Sequence, residues 1–283
     1  MGISSNDDNL VLNKPTLNTF FEKNKLKVID VVCDGNHTIV LTKSGKVFSF
    51  GNGKYQRFKV FGSLFSRTLC LGHEKSEDLS KPKLIKSLKE SEVAHISTNK
   101  HCALAVDKTN KIFVWGRGEF GVNGMGNNNA IQTPTQNLIL DGIIDSLDKP
   151  RIMKVVGCSD FSSVLLSNGD VFSFGNNDQG VMGLEKSMGV DMTESISFPQ
   201  PMFREALKID GEVGLVKDIE LGEVISILRV AHPSAPDAPG KVFWGGWKLS
   251  SLPEIVPFDF DANPPKLIAA SDKGWACVTE NNR

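Results

Sequence analysis

Short stretches in which apolar and polar positions alternate recur at wide intervals along the chain. Gly45-Lys46-Val47-Phe48-Ser49-Phe50-Gly51 has counterparts in Asn110 to Gly116 (NKIFVWG), Gly169 to Gly175 (GDVFSFG) and Gly240 to Gly246 (GKVFWGG), the last with Gly245 at the aromatic position. A period of two marks a strand with two unlike faces, and a leading Gly or Asn suits a turn that needs positive φ. Ahead of each lies an apolar strand with a polar entry: Val31–Thr42, His95–Val106, Val155–Ser167 and, in degenerate form, Lys217–Leu228. A fifth such segment, Lys266–Glu280, has no hairpin after it. Each unit therefore reads strand, tight turn, strand, Gly/Asn turn, strand, Gly.

The turn leaders Gly45, Asn110, Gly169 and Gly240 are 65, 59 and 71 residues apart. That spacing holds about four short strands and a connection, the content of one propeller blade. The pattern predicts an all-β chain of four-stranded blades, with repeat units at about 28–73, 93–127, 152–184 and 216–248 and a truncated unit at 266–283. Short helical or irregular links are expected at 84–88 and 139–147. Composition agrees: of 283 residues, 26 are glycine and 17 phenylalanine against a single tyrosine, the usage of many turns and aromatic strands.

Val-x-x-Gly-x-x-His, then Gly-x-Val-x-x-Trp-Gly, then a glycine-rich tail resembles the RCC1 (regulator of chromosome condensation) repeat. The clearest copies are Asn110–Gly126 and Gly169–Leu184; the fourth and fifth are eroded. The resemblance runs over essentially the whole chain. It implies a seven-bladed β-propeller in the typical member and, for the member that names the family, guanine-nucleotide exchange on a Ran-type small GTPase through a hairpin wedge beside the bound phosphates. Each connection after a tail reaches a proline 10 to 16 residues on (Gly72 to Pro82, Gly124 to Pro134, Gly183 to Pro199), and Met1-Gly2-Ile3 followed by Pro15 has the same form. The chain is thus expected to be a section of a longer propeller, or one closed by a partner, with apolar surface open at both ends.

Charge narrows the function. With 32 basic and 33 acidic residues the net charge is -1, so the basic excess of a dedicated nucleic-acid binder is absent. The N-terminus lacks the pattern of a signal or transit peptide, and no apolar stretch is long enough to span a membrane, which predicts an intracellular chain of the cytoplasm or nucleus, with an organelle left open. Five cysteines without a CxxC pair, with Cys33, Cys102 and Cys277 among apolar residues, read as buried thiols.

No catalytic residue, metal site or cofactor is expected. Gly116-Arg117-Gly118-Glu119-Phe120-Gly121 is formally GxGxxG, but Val122-Asn123-Gly124-Met125-Gly126 after it cannot open the helix that a dinucleotide site requires. His37 and His101 align with Phe161 and Trp275 in other units, so no ligand or catalyst is needed there; a histidine bonded to its turn backbone is expected. Lys81, Lys83, Lys86 and Lys89, interleaved with acids, read as a solvated face.

Two insertions break the repeat. Strand glycine and tail glycine are eight positions apart in the second and third units; in the first, Gly51 and Gly72 are 21 apart. The extra segment holds Lys54, Tyr55, Arg57, Phe58, Lys59, Phe61, Phe65 and Arg67: four positive charges, four aromatics and no acid. Arg and aromatics are favoured interface anchors, so this segment is the partner-binding candidate, its alternative being a longer outer strand pair packed on the next blade. The other insertion, within Arg229–Gly240, is a proline-rich loop. The reading is a non-catalytic protein-interaction module or scaffold with protein partners. Alternatives are exchange activity toward a small GTPase, which a basic wedge serves poorly, and a structural subunit of a large assembly.

Overall fold

The computed structural model describes residues 16–34, 37–53, 70–75, 77–100, 102–184, 195–238, 240–246, 250–271 and 274–280. They fall into two compact units, one within 1–118 and 129–137, the other within 119–128 and 138–283. The fold is all-β and propeller-like, as the alternation predicts. Among the described residues, four antiparallel sheets have four strands in simple sequence order and two have two strands.

The first unit holds two blades. Blade 1 is β1 (Val28–Asp34), β2 (His37–Thr42), β3 (Val47–Gly51) and β4 (Leu79–Leu84); blade 2 is β5 (Val93–Thr98), β6 (Cys102–Asp107), β7 (Ile112–Gly116) and β8 (Ile131–Gln136). One face of blade 1 (Val32, Ile39, Leu41, Val47) packs on the opposed face of blade 2 (Ile96, Ala103, Ala105, Phe113, Trp115). The other face of blade 1 carries Val40, Phe48 and Phe50, and a short helix, α1 (Thr19–Lys23), covers it. Asn18 caps that helix through the Phe20 amide, and Phe20 and Phe21 meet Phe48 edge-on at 5.9 and 5.7 Å. The expected open face is therefore covered in part; Ile29 and Val31, beside it on β1, stay more than half exposed.

The second unit repeats the plan with β9 (Ile152–Cys158), β10 (Phe161–Leu166), β11 (Val171–Asn176) and β12 (Ser195–Pro201), and with β15 (Leu215–Leu221), β16 (Ile225–Ala231), β17 (Lys241–Gly246) and β18 (Ser250–Ile255). The ribbon β13 (Lys208–Ile209) and β14 (Glu212–Val213) lies between them, helix α2 (Leu138–Ser146) packs near β12, and the hairpin β19 (Pro265–Ala270) and β20 (Trp275–Thr279) ends the series. Leu267 and Val278, paired across that hairpin, are exposed. Links at 86–88 and 138–146 are a 3₁₀ turn and a helix, as anticipated.

Three details correct the sequence reading. The connection prolines lie within fourth strands: Pro82 in β4, Pro134 in β8, Pro199 in β12 and Pro253 in β18. These are the outer edge strands, where a missing N–H costs no ladder bond. The pairings and hydrogen bonds that close the first strand on the second place His37, Cys102, Phe161, Ile225 and Gly274 at one repeat position. His37 and Phe161 do share a position, but its blade 2 member is Cys102 and Trp275 comes one residue after it; His101 lies outside the described residues. Cys33 is exposed rather than buried, whereas Cys70 and Cys102 are buried as free thiols.

Every first strand bulges at the same place, which brings Asp30, His95, Lys154, Asp218 and Leu267 to one repeat position. In the second unit Lys154 bridges neighbouring blades, 2.8 Å from Asp218 and 2.5 Å from Glu220. Burial works against its charge, but the hydrogen bonds it donates to both carboxylates outweigh it and hold its pKa above the usual lysine value.

Candidate functional site

The basic-aromatic insertion leaves blade 1 after β3 and returns at the tail Cys70-Leu71-Gly72. Lys54, Tyr55, Arg57, Phe58, Lys59, Phe61, Phe65 and Arg67 all lie outside the described residues; the segments on either side of them are described. The outgoing stem is held where the Gly53 amide donates to Asp78 Oδ1 at 2.9 Å. A Cβ on Gly53 would sit 2.2 Å from the Glu77 carbonyl oxygen, so only glycine fits there. The returning stem is held from blade 2: Trp115, fully buried, donates its Nε1–H to the Cys70 carbonyl at 2.8 Å.

Gly72 then lies with positive φ against the indole and Pro134, where a Cβ would approach to 3.0 Å. The same seat recurs in the second unit. There Gly124 lies on the ring of Phe174, which occupies the Trp115 position in β11. Gly72 and Gly124 thus let these two tails lie flat on the aromatic position of the next sheet, whereas Gly183, with Gly245 at that position ahead of it, meets Met202 and Pro253. Trp115, Gly53 and Asp78 were not singled out from the sequence as functional. For Trp115 the signal is present in the repeat, where it is the aromatic of NKIFVWG.

Beside the returning stem the buried Ser49 hydroxyl donates to the Leu71 carbonyl at 2.6 Å, and His73 Nε2 lies 3.0 Å from Ser49 Oγ. With its proton committed to Leu71, Ser49 accepts from His73 Nε2–H. Burial, with the charge of Lys83, depresses the His73 pKa to about 4, against a smaller opposing effect of Glu77. The pair is a neutral clamp on the tail. Ser49 has no exposed surface and is no nucleophile.

His37 is buried at the blade 1–blade 2 contact with Nε2 2.6 Å from Thr98 Oγ1, so its partner is a side chain of the neighbouring blade and not its own turn backbone. Burial pushes its pKa down to about 4. Gly116–Gly126 contains only a 3₁₀ turn at Glu119–Gly121 with Phe120 at φ 61°, and no helix opens there. Among the described residues no three His, Cys, Asp or Glu side chains gather in a way that could hold a metal ion. Among the described residues no helix is long and apolar enough to cross a membrane.

Residues 28–57, from β1 into the start of the insertion, match the model of the regulator of chromosome condensation (RCC1) repeat. The chain is RCC1-like. This RCC1-like chain is 30% identical over 160 residues to the human E3 ubiquitin-protein ligase HERC2, across 56% of its own length and 3% of that protein's. It is 26% identical over 214 residues to the ultraviolet-B receptor UVR8 of Arabidopsis thaliana, 76% of its length against 41%. Among solved structures, human WBSCR16 superposes with a TM-score of 0.66 at 19% identity, over 90% of this chain and 60% of that one. Yeast RCC1 (Prp20), solved bound to Kap60, gives 0.66 at 15% identity, over 92% and 55%. The RCC1-like chain therefore spans less than two thirds of each of these four proteins, and the structural likenesses are likenesses of fold.

Proposed function

We propose that this chain is a non-catalytic protein-interaction module that presents the 54–67 insertion to a protein partner. The observation behind this reading is the frame at the insertion's base. Gly53 is tied to Asp78 and Cys70 to Trp115, so a basic-aromatic segment departs from and returns to two fixed points. A rigid base lowers the entropy lost when such a segment meets a partner, and Arg57, Phe58, Phe61 and Tyr55 are residue types that dominate binding energy. The hydrogen bonds and packing around the frame serve tail and blade, which leaves the insertion as the element without a repeat counterpart.

The test is affinity purification with the wild-type chain and with Arg57, Phe58, Lys59 and Phe61 all changed to alanine. Partners captured by the wild type are expected to be lost or reduced about tenfold or more in the variant, with an unchanged melting temperature. Equal capture, or a large loss of thermal stability, refutes the assignment and returns the segment to blade packing. A parallel purification in EDTA separates a further reading. A small GTPase enriched only when nucleotide is stripped would indicate exchange activity, since an exchange factor holds the nucleotide-free state best.

A further inference from the structure

A second surface of the first unit lies at the opposite end of β3 from the insertion. Backbone hydrogen bonds tie several segments together there. Lys43 N–H donates to the Lys27 carbonyl at 2.8 Å, Val93 N–H to the Gly45 carbonyl at 3.1 Å, and Lys108 N–H to the Glu92 carbonyl at 2.9 Å. The two hairpin turns, 42–46 and 107–111, thus stand side by side with the starts of β1 and β5, and the 3₁₀ link at 86–88 runs between them. Lysines crowd this end: Lys43 and Lys46 on one turn, Lys108 and Lys111 on the other, Lys27 at the entry to β1, and Lys86 and Lys89 on the link, all exposed.

Acids answer few of them. Glu92 pairs with Lys108 at 2.7 Å and Glu90 reaches Lys89 at 3.5 Å. Asp107 is buried and spends one oxygen on the amides of Thr109 and Lys111 and the Thr109 hydroxyl. Among the described residues no carboxylate pairs with Lys27, Lys43, Lys46, Lys86 or Lys111. In the second unit the same turn position carries Asp170, which holds Arg204 at 2.7 Å, and Lys241, which faces Asp261 at 3.9 Å. The unbalanced charge belongs to the first unit. It is invisible in the net charge of -1 and in any single stretch of sequence.

We infer that this lysine end docks an acidic polypeptide segment, one with carboxylates spaced along it. Four features select that partner over a phosphate polymer. The basic groups here are all lysines, compact charges that meet single carboxylates and lack the arginine fork that grips phosphate. The turn amides are already used: those of residues 107–111 all donate within the turn or to Glu92, and those of Thr42, Lys43, Gly45 and Lys46 are likewise engaged, so no backbone nest faces outward to receive phosphate. Exposed Glu90 and Glu92 stud the surface, and they repel a continuous line of phosphates while leaving gaps for separated carboxylates. Nor, among the described residues, does an aromatic side chain project there for a base to stack on. The surface is distinct from the insertion and stands whether or not the insertion binds.

The experiment uses the full chain and a fluorescein-labelled peptide of alternating glutamate and glycine, followed by anisotropy at low and at physiological salt. The wild type is expected to bind saturably and more weakly as salt rises. Reversal of Lys43, Lys46 and Lys111 to glutamate is expected to weaken binding about tenfold or more, while Lys266→Glu in the second unit and the insertion alanine variant leave it unchanged. A milder triple change to glutamine, with melting curves on every variant, separates lost binding from lost fold. Equal binding by the reversed chain overturns the proposal. So does tighter binding of duplex DNA or of phosphatidylserine vesicles than of the peptide.

Discussion

Histidine 37 makes the stability of the first unit depend on pH in a way that can be calculated. Its ring is 6% exposed and its pKa is depressed by burial from 6.5 to about 4. The folded chain therefore keeps it neutral while the unfolded chain protonates it below pH 6.5. The stabilisation is complete above that value and is lost as pH falls toward 4. At about 1.4 kcal/mol per unit, the full separation is worth roughly 3 kcal/mol, of which about 2 kcal/mol is gone by pH 5. The perturbation is His37→Phe, which installs the residue that the repeat itself places there at Phe161; Thr98 Oγ1 keeps the Cys102 carbonyl 3.2 Å away as its acceptor. Urea unfolding followed by tryptophan fluorescence, with Trp115 buried in the same unit, yields unfolding free energies at pH 7 and pH 5. His73 and His95, also depressed by burial, are common to both chains and cancel in the difference. The wild type should lose about 2 kcal/mol more than the variant between the two pH values. Parallel losses would falsify the claim that a neutral, desolvated His37 is required by the fold, whatever the variant's absolute stability.

Trp115→Phe removes the donor to the Cys70 carbonyl and should cost about 1–3 kcal/mol, measured by the same urea titration. An unchanged midpoint would show that the tail is not held by that bond. Gly121→Ala puts a Cβ 2.4 Å from Ser197 Cα at φ +73° and should cost about 2 kcal/mol or more. Gly142→Ala, in helix α2 with nothing within 4 Å, should instead stabilise by about 0.5–1 kcal/mol, and thermal melts of the pair check the opposed signs. Phe20→Ser with Phe21→Ser should uncover Phe48 and Phe50 and raise binding of an apolar dye several-fold; no change would mean that α1 does not shield that face.

The blades were legible in the sequence because each strand states its two faces locally. Val47-Phe48-Ser49-Phe50 shows by alternation alone that Phe48 and Phe50 share a side. Repetition of the turn-leading Gly45, Asn110 and Gly169 sets strand length and turn together. The fourth strands were less legible: in Leu79–Leu84 and Ile131–Gln136 the alternation is weak and a proline interrupts it, since an edge strand needs only one ladder of hydrogen bonds. Residue type alone aligns His101 with His37, whereas the hydrogen bond from the Asn99 amide to the Cys102 carbonyl sets the register and gives that position to Cys102.

The amino-acid sequence by itself determined what is local and periodic: an all-β chain, RCC1-like repeats, aromatic positions, and an insertion after Gly51 with no counterpart in other units. Contacts between residues distant in the chain were decided only by tertiary structure. That Trp115 holds the carbonyl of Cys70, that His37 meets Thr98, and that α1 covers Phe48 all depend on one blade packing against another element. The lysine end is of the same kind. Lys27, Lys46, Lys86 and Lys111 are scattered among acids in the sequence, and they share a surface because every blade brings its hairpin turn to the same end of the sheet. Electrostatic attraction acts through space, and the fold, not the order of residues, sets which charges are neighbours.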